Sequence, residues 1–164
     1  MTRAAGLLVL PVLALALTGC MTMSRSSTVS ALSADMAAMG KVTEVTLRRD
    51  AEIKVTPGFD ALFRSHVQAR LDRCAKGDRP LRLEASIASL DKANPAMTLI
   101  VAGKNAGRGH AKLVDIRTGK VVGEYEIGQT VVGSKLAIIQ MSEAEEQVSN
   151  GFGDEVCKQA FAAK

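Results

Sequence analysis

The sequence predicts an α+β domain: a single, mainly antiparallel sheet of about four strands with two long helices packed on one face, in the order β-α-β-β-β-α. Three observations carry that reading. Leu81, Leu83, Ala85 and Ile87 alternate with Arg82, Glu84, Ser86 and Ala88, the period-two pattern of a half-buried strand. Phe59, Leu62, Phe63, His66, Val67, Leu71 and Cys74 recur at three and four positions, as on one face of a helix. Arg117-Thr118-Gly119 joins two further strand-like runs, 110–116 and 120–130, as a hairpin.

The first segment is not part of that domain. Arg3 precedes an apolar run, 4–17, built of Ala, Leu and Val with one Gly and one Pro. This run matches a signal h-region and falls short of the about 20 residues that cross a bilayer. Leu17-Thr18-Gly19-Cys20 then reads as a bacterial lipobox. Small side chains at Thr18 and Gly19 suit a signal peptidase, and the Cys20 thiol is the atom that takes diacylglycerol. The competing reading is an ordinary secretory signal, or a buried helix, with Cys20 there by chance. On the lipobox reading residues 1–19 are removed and Cys20 anchors the chain through several acyl chains. Each buried CH₂ contributes about 0.8 kcal/mol, so several chains hold stably where one is marginal. Bacterial lipoproteins kept in the inner membrane often carry Asp after the cysteine. Met21 stands there instead, which points to the periplasmic face of the outer membrane.

Residues 20–40 are Ser, Thr, Ala and Met with only Arg25 and Asp35 charged, and read as a flexible tether with a nascent helix around 31–39. The domain proper is then 41–164. Its first strand is 41–49, rich in Val and Thr, and 51–56 is a possible extended continuation. Thr56-Pro57 signals a helix start, and Gly77 a stop. Asn94-Pro95 repeats the start signal, so 96–102 is either a short helix or, over 97–101, an apolar strand. A glycine-rich loop is expected over 103–109, carrying Lys104, Asn105 and Arg108. The apolar run 136–141 takes no assigned structure. Ser142 and Glu145 match a capping box, opening a last helix over 143–162 with Val148, Phe152, Val156, Ala160 and Phe161 on one stripe. Gly151 and Gly153 each cost that helix up to about 1 kcal/mol against Ala, which calls for a bend or tight packing.

Composition narrows the function. With no Trp, one Tyr and four Phe, an aromatic platform for sugars or bases is disfavoured. Export also excludes nucleic acid as a partner. The net charge of +4 comes from scattered Lys and Arg, either a solvated surface or an attraction to anionic headgroups, lipopolysaccharide or peptidoglycan carboxylates. Once Cys20 is acylated, Cys74 and Cys157 remain as a pair in an oxidising compartment. A disulfide between them is preferred over two buried thiols, and closing a loop of about 80 residues is worth roughly 4–5 kcal/mol in the chain-entropy model. Without CxxC spacing the pair is not a redox-catalytic one.

Catalytic signals are weak. His66 sits on an apolar helix stripe and reads as a packed, hydrogen-bonded histidine. His110 has no Asp, Cys or His at metal spacing. The run 103–108 resembles a phosphate loop only superficially, lacking the Gly-Lys-Ser/Thr ending. Glu143, Glu145 and Glu146 favour a helix macrodipole. No nucleophile and base stand together, so the expectation is no enzyme, no metal and no cofactor.

Residues 107–121 (Gly-Arg-Gly-His-Ala-Lys-Leu-Val-Asp-Ile-Arg-Thr-Gly-Lys-Val) resemble the glycine-loop, strand and Asp-x-x-Thr-Gly hairpin of small uncharacterised proteobacterial envelope lipoproteins. That resemblance implies an α+β domain and carries no functional residue across. The functional expectation is a membrane-anchored binding or assembly module with a possible envelope protein partner. Arg108, Leu136, Ile138 and Ile139 are its candidate partner contacts. The alternatives are a carrier of lipid or another apolar ligand, and a structural protein linking the outer membrane to peptidoglycan. Oligomeric state is left open.

Overall fold

The computed structural model describes residues 21–92, 103–133 and 143–162. In chain order they form β1 (Met21–Ser24), β2 (Ser27–Ser30), α1 (Ala34–Met39), β3 (Gly40–Arg49), α2 (Phe59–Cys74), β4 (Arg79–Asp91), β5 (Gly103–Asp115), β6 (Val121–Gly133) and α3 (Ala144–Val156), which ends in a π-helical turn, Cys157–Phe161. Cys20, the short element expected over 96–102, and Leu136, Ile138 and Ile139 lie outside the described residues.

The sheet corrects the predicted architecture. It has six strands and is mixed, running β1-β6-β5-β4-β3 with β2 also paired to β6, in place of about four mainly antiparallel strands. Helix α2 crosses over between β3 and β4, which are parallel. The other pairings are antiparallel. The extra strands come from the supposed tether. Residues 21–30 lie along the free edge of β6, pairing Met21 with Val132 and Ser27 with Glu126. Every one of them but Ser26 is exposed, so no hydrophobic alternation marked them as strands. Ser33 caps α1, its hydroxyl accepting from the Met36 amide at 3.3 Å.

Three further readings change. Residues 103–109 are the start of β5 rather than a loop. A Cβ at Gly107 would lie 2.5 Å from Val148 Cγ1, so the missing side chain is what lets α3 approach the strand. Helix α2 begins at Phe59, behind Gly58 in the left-handed region (φ 88°), and not at Pro57. Thr56 does not cap it, because its hydroxyl and amide both donate to Glu145. Glu145 is thereby also withdrawn from the expected capping box, and α3 starts without a side-chain cap.

Both long helices cover one face. From α2, Phe59, Phe63, Val67 and Leu71 are buried, one per turn. Val148, Phe152 and Val156 of α3 meet them and the sheet, with Phe63 and Phe152 edge to face at 5.2 Å between centroids. The sheet contributes Leu81, Leu83, Ala85, Ile87, Ala111, Leu113, Tyr125 and Ile127 to this core. Cys74 and Cys157 are joined across the C-terminal ends of the two helices. At Gly151 a Cβ would lie 1.4 Å from Gln129 Oε1, so tight packing is the outcome there.

Candidate functional site

With the helices on one side, alternation along the strands leaves the other side bare. Glu44 and Thr46 of β3, Arg82, Glu84 and Ser86 of β4, His110 and Lys112 of β5, and Glu124 and Glu126 of β6 project from it. Opposite charges meet both along and across strands. Arg82 pairs with Glu84 at 3.0 Å and Glu44 at 3.8 Å, and Lys112 with Glu124 at 3.1 Å. Such exposed pairs contribute little to stability, of order 0–1 kcal/mol each, but they pattern the surface. A shallow cavity of about 510 Å³ lies over this face, lined in part by Arg48, Ser86, His110 and Lys112.

The two ends of the sheet differ, and on different faces, since Asp115 pairs with Leu81 and so lies on the helix side. At the end where β4 begins and β5 finishes, the Asp115 carboxylate is buried, 1% exposed. It accepts from Arg79 Nη2, from Thr118 Oγ1 at 2.9 Å and from the Arg117 amide at 3.0 Å. Gly119, with φ 70°, closes the turn. The Arg79 guanidinium, aided by Thr118 and the Arg117 amide, outweighs burial and holds the Asp115 carboxyl down at about 2. Asp115 in turn pushes the Arg79 pKa up. The Asp-x-x-Thr-Gly motif is therefore a turn clamp, a structural role.

At the opposite end Arg108 projects from β5, level with Gly128 on β6 and Ser89 on β4. Gly128 has no side chain, and the link between β1 and β2 fills the space. The Arg25 amide donates to the Gly128 carbonyl at 2.7 Å, and the Gly128 amide to Ser26 Oγ at 3.1 Å. This brings Arg25 to Arg108 and Lys104 around a groove of about 460 Å³, with Met23, Asp91, Thr130 and Val132 also in its lining. All three cations are exposed and none has an ion-pair partner among the described residues. Sequence reasoning singled out Arg108 and missed Arg25. The available signal was Gly128, one of three glycines in that strand.

His66 bridges the helices, Nδ1 lying 3.1 Å from Asn150 Oδ1, which also accepts from Arg70. His110 stands on the bare face, level with Ser86 and Glu126. Tyr125 is fully buried, and burial pushes its phenol pKa up although its oxygen accepts from the Leu32 amide. Burial drives the Glu145 carboxyl up, but Lys92 and the Thr56 hydroxyl and amide more than offset this, and its pKa falls. Among the described residues no three His, Cys, Asp or Glu could hold a metal, and no helix is long and apolar enough to cross a membrane.

No protein-family model and no curated protein matches this chain. Among solved structures, the PelC dodecamer from Paraburkholderia phytofirmans is similar, with a TM-score of 0.51 at 16% identity, covering 87% of this chain and 100% of that one. A point variant of that PelC dodecamer gives 0.52 at 16% identity, covering 85% and 99%. At that identity the likeness is one of fold.

Proposed function

We propose that this chain is a lipid-anchored envelope lipoprotein whose domain is a binding or assembly module and not an enzyme. Residues 1–19 are its signal peptide, Cys20 bears the acyl chains, and the periplasmic face of the outer membrane is its place. The observation that carries the module reading is the bare sheet face. Its cations and carboxylates pair with one another within and between strands and present charge for a complementary partner, and among the described residues Ser86 and His110 make no hydrogen bond to each other. Similarity to a protein that forms dodecamers supports assembly as the form this takes, with a second copy of the chain as one possible partner.

A photo-crosslinking residue in place of His110 or Ser86, at the middle of the bare face, tests the module in living cells. One discrete protein adduct, self or foreign, is the expected result. Adducts with lipid alone, or none, would overturn the assembly role and favour the carrier or structural alternatives. Cys20→Ala separately tests the anchor. It should leave unprocessed precursor or release the domain from the membrane, and unchanged attachment and processing would refute lipidation.

A further inference from the structure

Because strand structure begins at Met21, directly after Cys20, the anchor has no tether between it and the sheet. We infer that the domain lies against the membrane, with the groove between Met23, Arg25, Lys104 and Arg108 seated on anionic lipid headgroups. This rests on the proposed acylation of Cys20 and goes beyond it, since a lipid on a flexible tether would fix no face.

Distance is the first argument. A strand rises about 3.4 Å per residue, so Met23 stands within about 10 Å of Cys20. The headgroup layer adds roughly 5–7 Å on each side of an about 30 Å hydrocarbon core. A side chain this close to an acylated cysteine is therefore at the headgroups or one water layer from them. Register points the same way. Met21, Val132 and Lys104 form one row across β1, β6 and β5, and Met23, Thr130 and Ala106 the next, so the groove and the start of β1 share one end and one face.

Chemistry is the second. Met21 is 63% exposed and Met23 42%, two apolar side chains held in water beside the anchor point. Behind them three cations with no ion-pair partner among the described residues share a groove in whose described lining Asp91 is the single carboxylate. An apolar margin backed by basic side chains is the arrangement that adsorbs to an anionic bilayer, at about 1 kcal/mol per Lys or Arg near the surface. At the other end of the sheet, on the helix side, Arg79 is committed to Asp115.

The test uses the full lipidated chain reconstituted in phosphatidylglycerol-containing vesicles, with an environment-sensitive fluorescent amino acid at Met23 or at Arg117 in the distant hairpin. Brominated lipids report contact by quenching. Position 23 should quench several-fold more than 117, and Arg108→Gln should lower the docked-to-undocked ratio about fivefold. Phosphatidylcholine vesicles should lower quenching at 23 in the same direction. Equal quenching at 23 and 117 on a chain whose intact mass shows the diacylglyceryl group would overturn the docking and leave the anchor standing. Quenching at 23 that ignores both Arg108→Gln and lipid charge would overturn headgroup recognition. A mass showing unmodified Cys20 would overturn the anchor and the docking with it.

Discussion

Arg79 and Arg108 occupy opposite ends of one sheet and have opposite fates. Arg79 is paired to a buried carboxylate, which is itself saturated by a threonine hydroxyl and a backbone amide. Arg108 stands exposed among other cations, over a glycine that admits Arg25. The hairpin end also holds the Cys74–Cys157 bridge, and the Gly40 and Met39 carbonyls accept from the Gly77 and Asp78 amides. At that end the Asp115 carboxylate and the two carbonyls are satisfied within the fold, while Arg79 Nε is buried with no hydrogen-bond partner among the described residues. At the anchor end of the bare face polar groups are presented outward. A cation with a partner inside is read as structure, and one without as a contact for something else.

The largest expected effect is at the closed end. Cys74→Ala with Cys157→Ala frees a loop spanning 83 positions. Denaturant unfolding should show a loss of about 4–5 kcal/mol by the chain-entropy model. A loss below about 1 kcal/mol would mean that packing of α2 on α3, not the bridge, holds that end. Asp115→Asn comes next, and its signature is in pH. The folded-state pKa of about 2 lies below the ordinary 3.8, so the clamp stabilises fully above the latter and is lost as pH falls through the former. The unfolding midpoint of the wild type should therefore drop more steeply between pH 4 and pH 2 than that of Asp115→Asn, measured by circular dichroism. Parallel curves would remove the clamp from the comparison.

Gly107→Ala probes the boundary between the ends. Its Cβ would meet Val148 Cγ1 at 2.5 Å, and a stiff β-branched side chain yields poorly. Overpacking of this kind costs about 1–3 kcal/mol. The same substitution at Gly128 would meet the Arg25 carbonyl at 3.0 Å and should cost less, while displacing Arg25 from the groove. Chemical denaturation of the two variants side by side separates a glycine needed for helix packing from one that shapes the site.

Those two glycines also show what the sequence could reveal. Helix α2 and strand β4 were legible because each buries one face of a regular element, and burial writes its period into the residue types. The hairpin was legible because Asp115, Thr118 and Gly119 act within a few positions of one another. Strands β1 and β2 were not, since their exposed edge positions bury no periodic side chains. Beta-5 read as a loop because the helix it supports demands glycine where a strand ordinarily places a branched residue. Thr56 and Glu145 each matched a local cap, yet they bond to each other across 89 positions, and no local pattern announces that. The groove failed to show for the same reason: Arg25 and Gly128 meet only once β1 and β2 have paired with β6.

Arg108→Gln is the smallest effect and the sharpest test of the comparison. An exposed side chain with no partner among the described residues has little to lose in the folded state, so the substitution should change unfolding free energy by no more than about 0.5 kcal/mol. Relief of repulsion from Arg25 and Lys104 should make any change slightly favourable, and added salt should erase it, because screening acts on exposed charges first. Unfolding at low and high ionic strength reads both. A destabilisation of the size seen for Asp115→Asn would place Arg108 among the groups that hold the fold together, and the two ends would no longer differ in kind. A neutral result leaves the groove's charge without a structural use, as a surface held ready for an external anion must be.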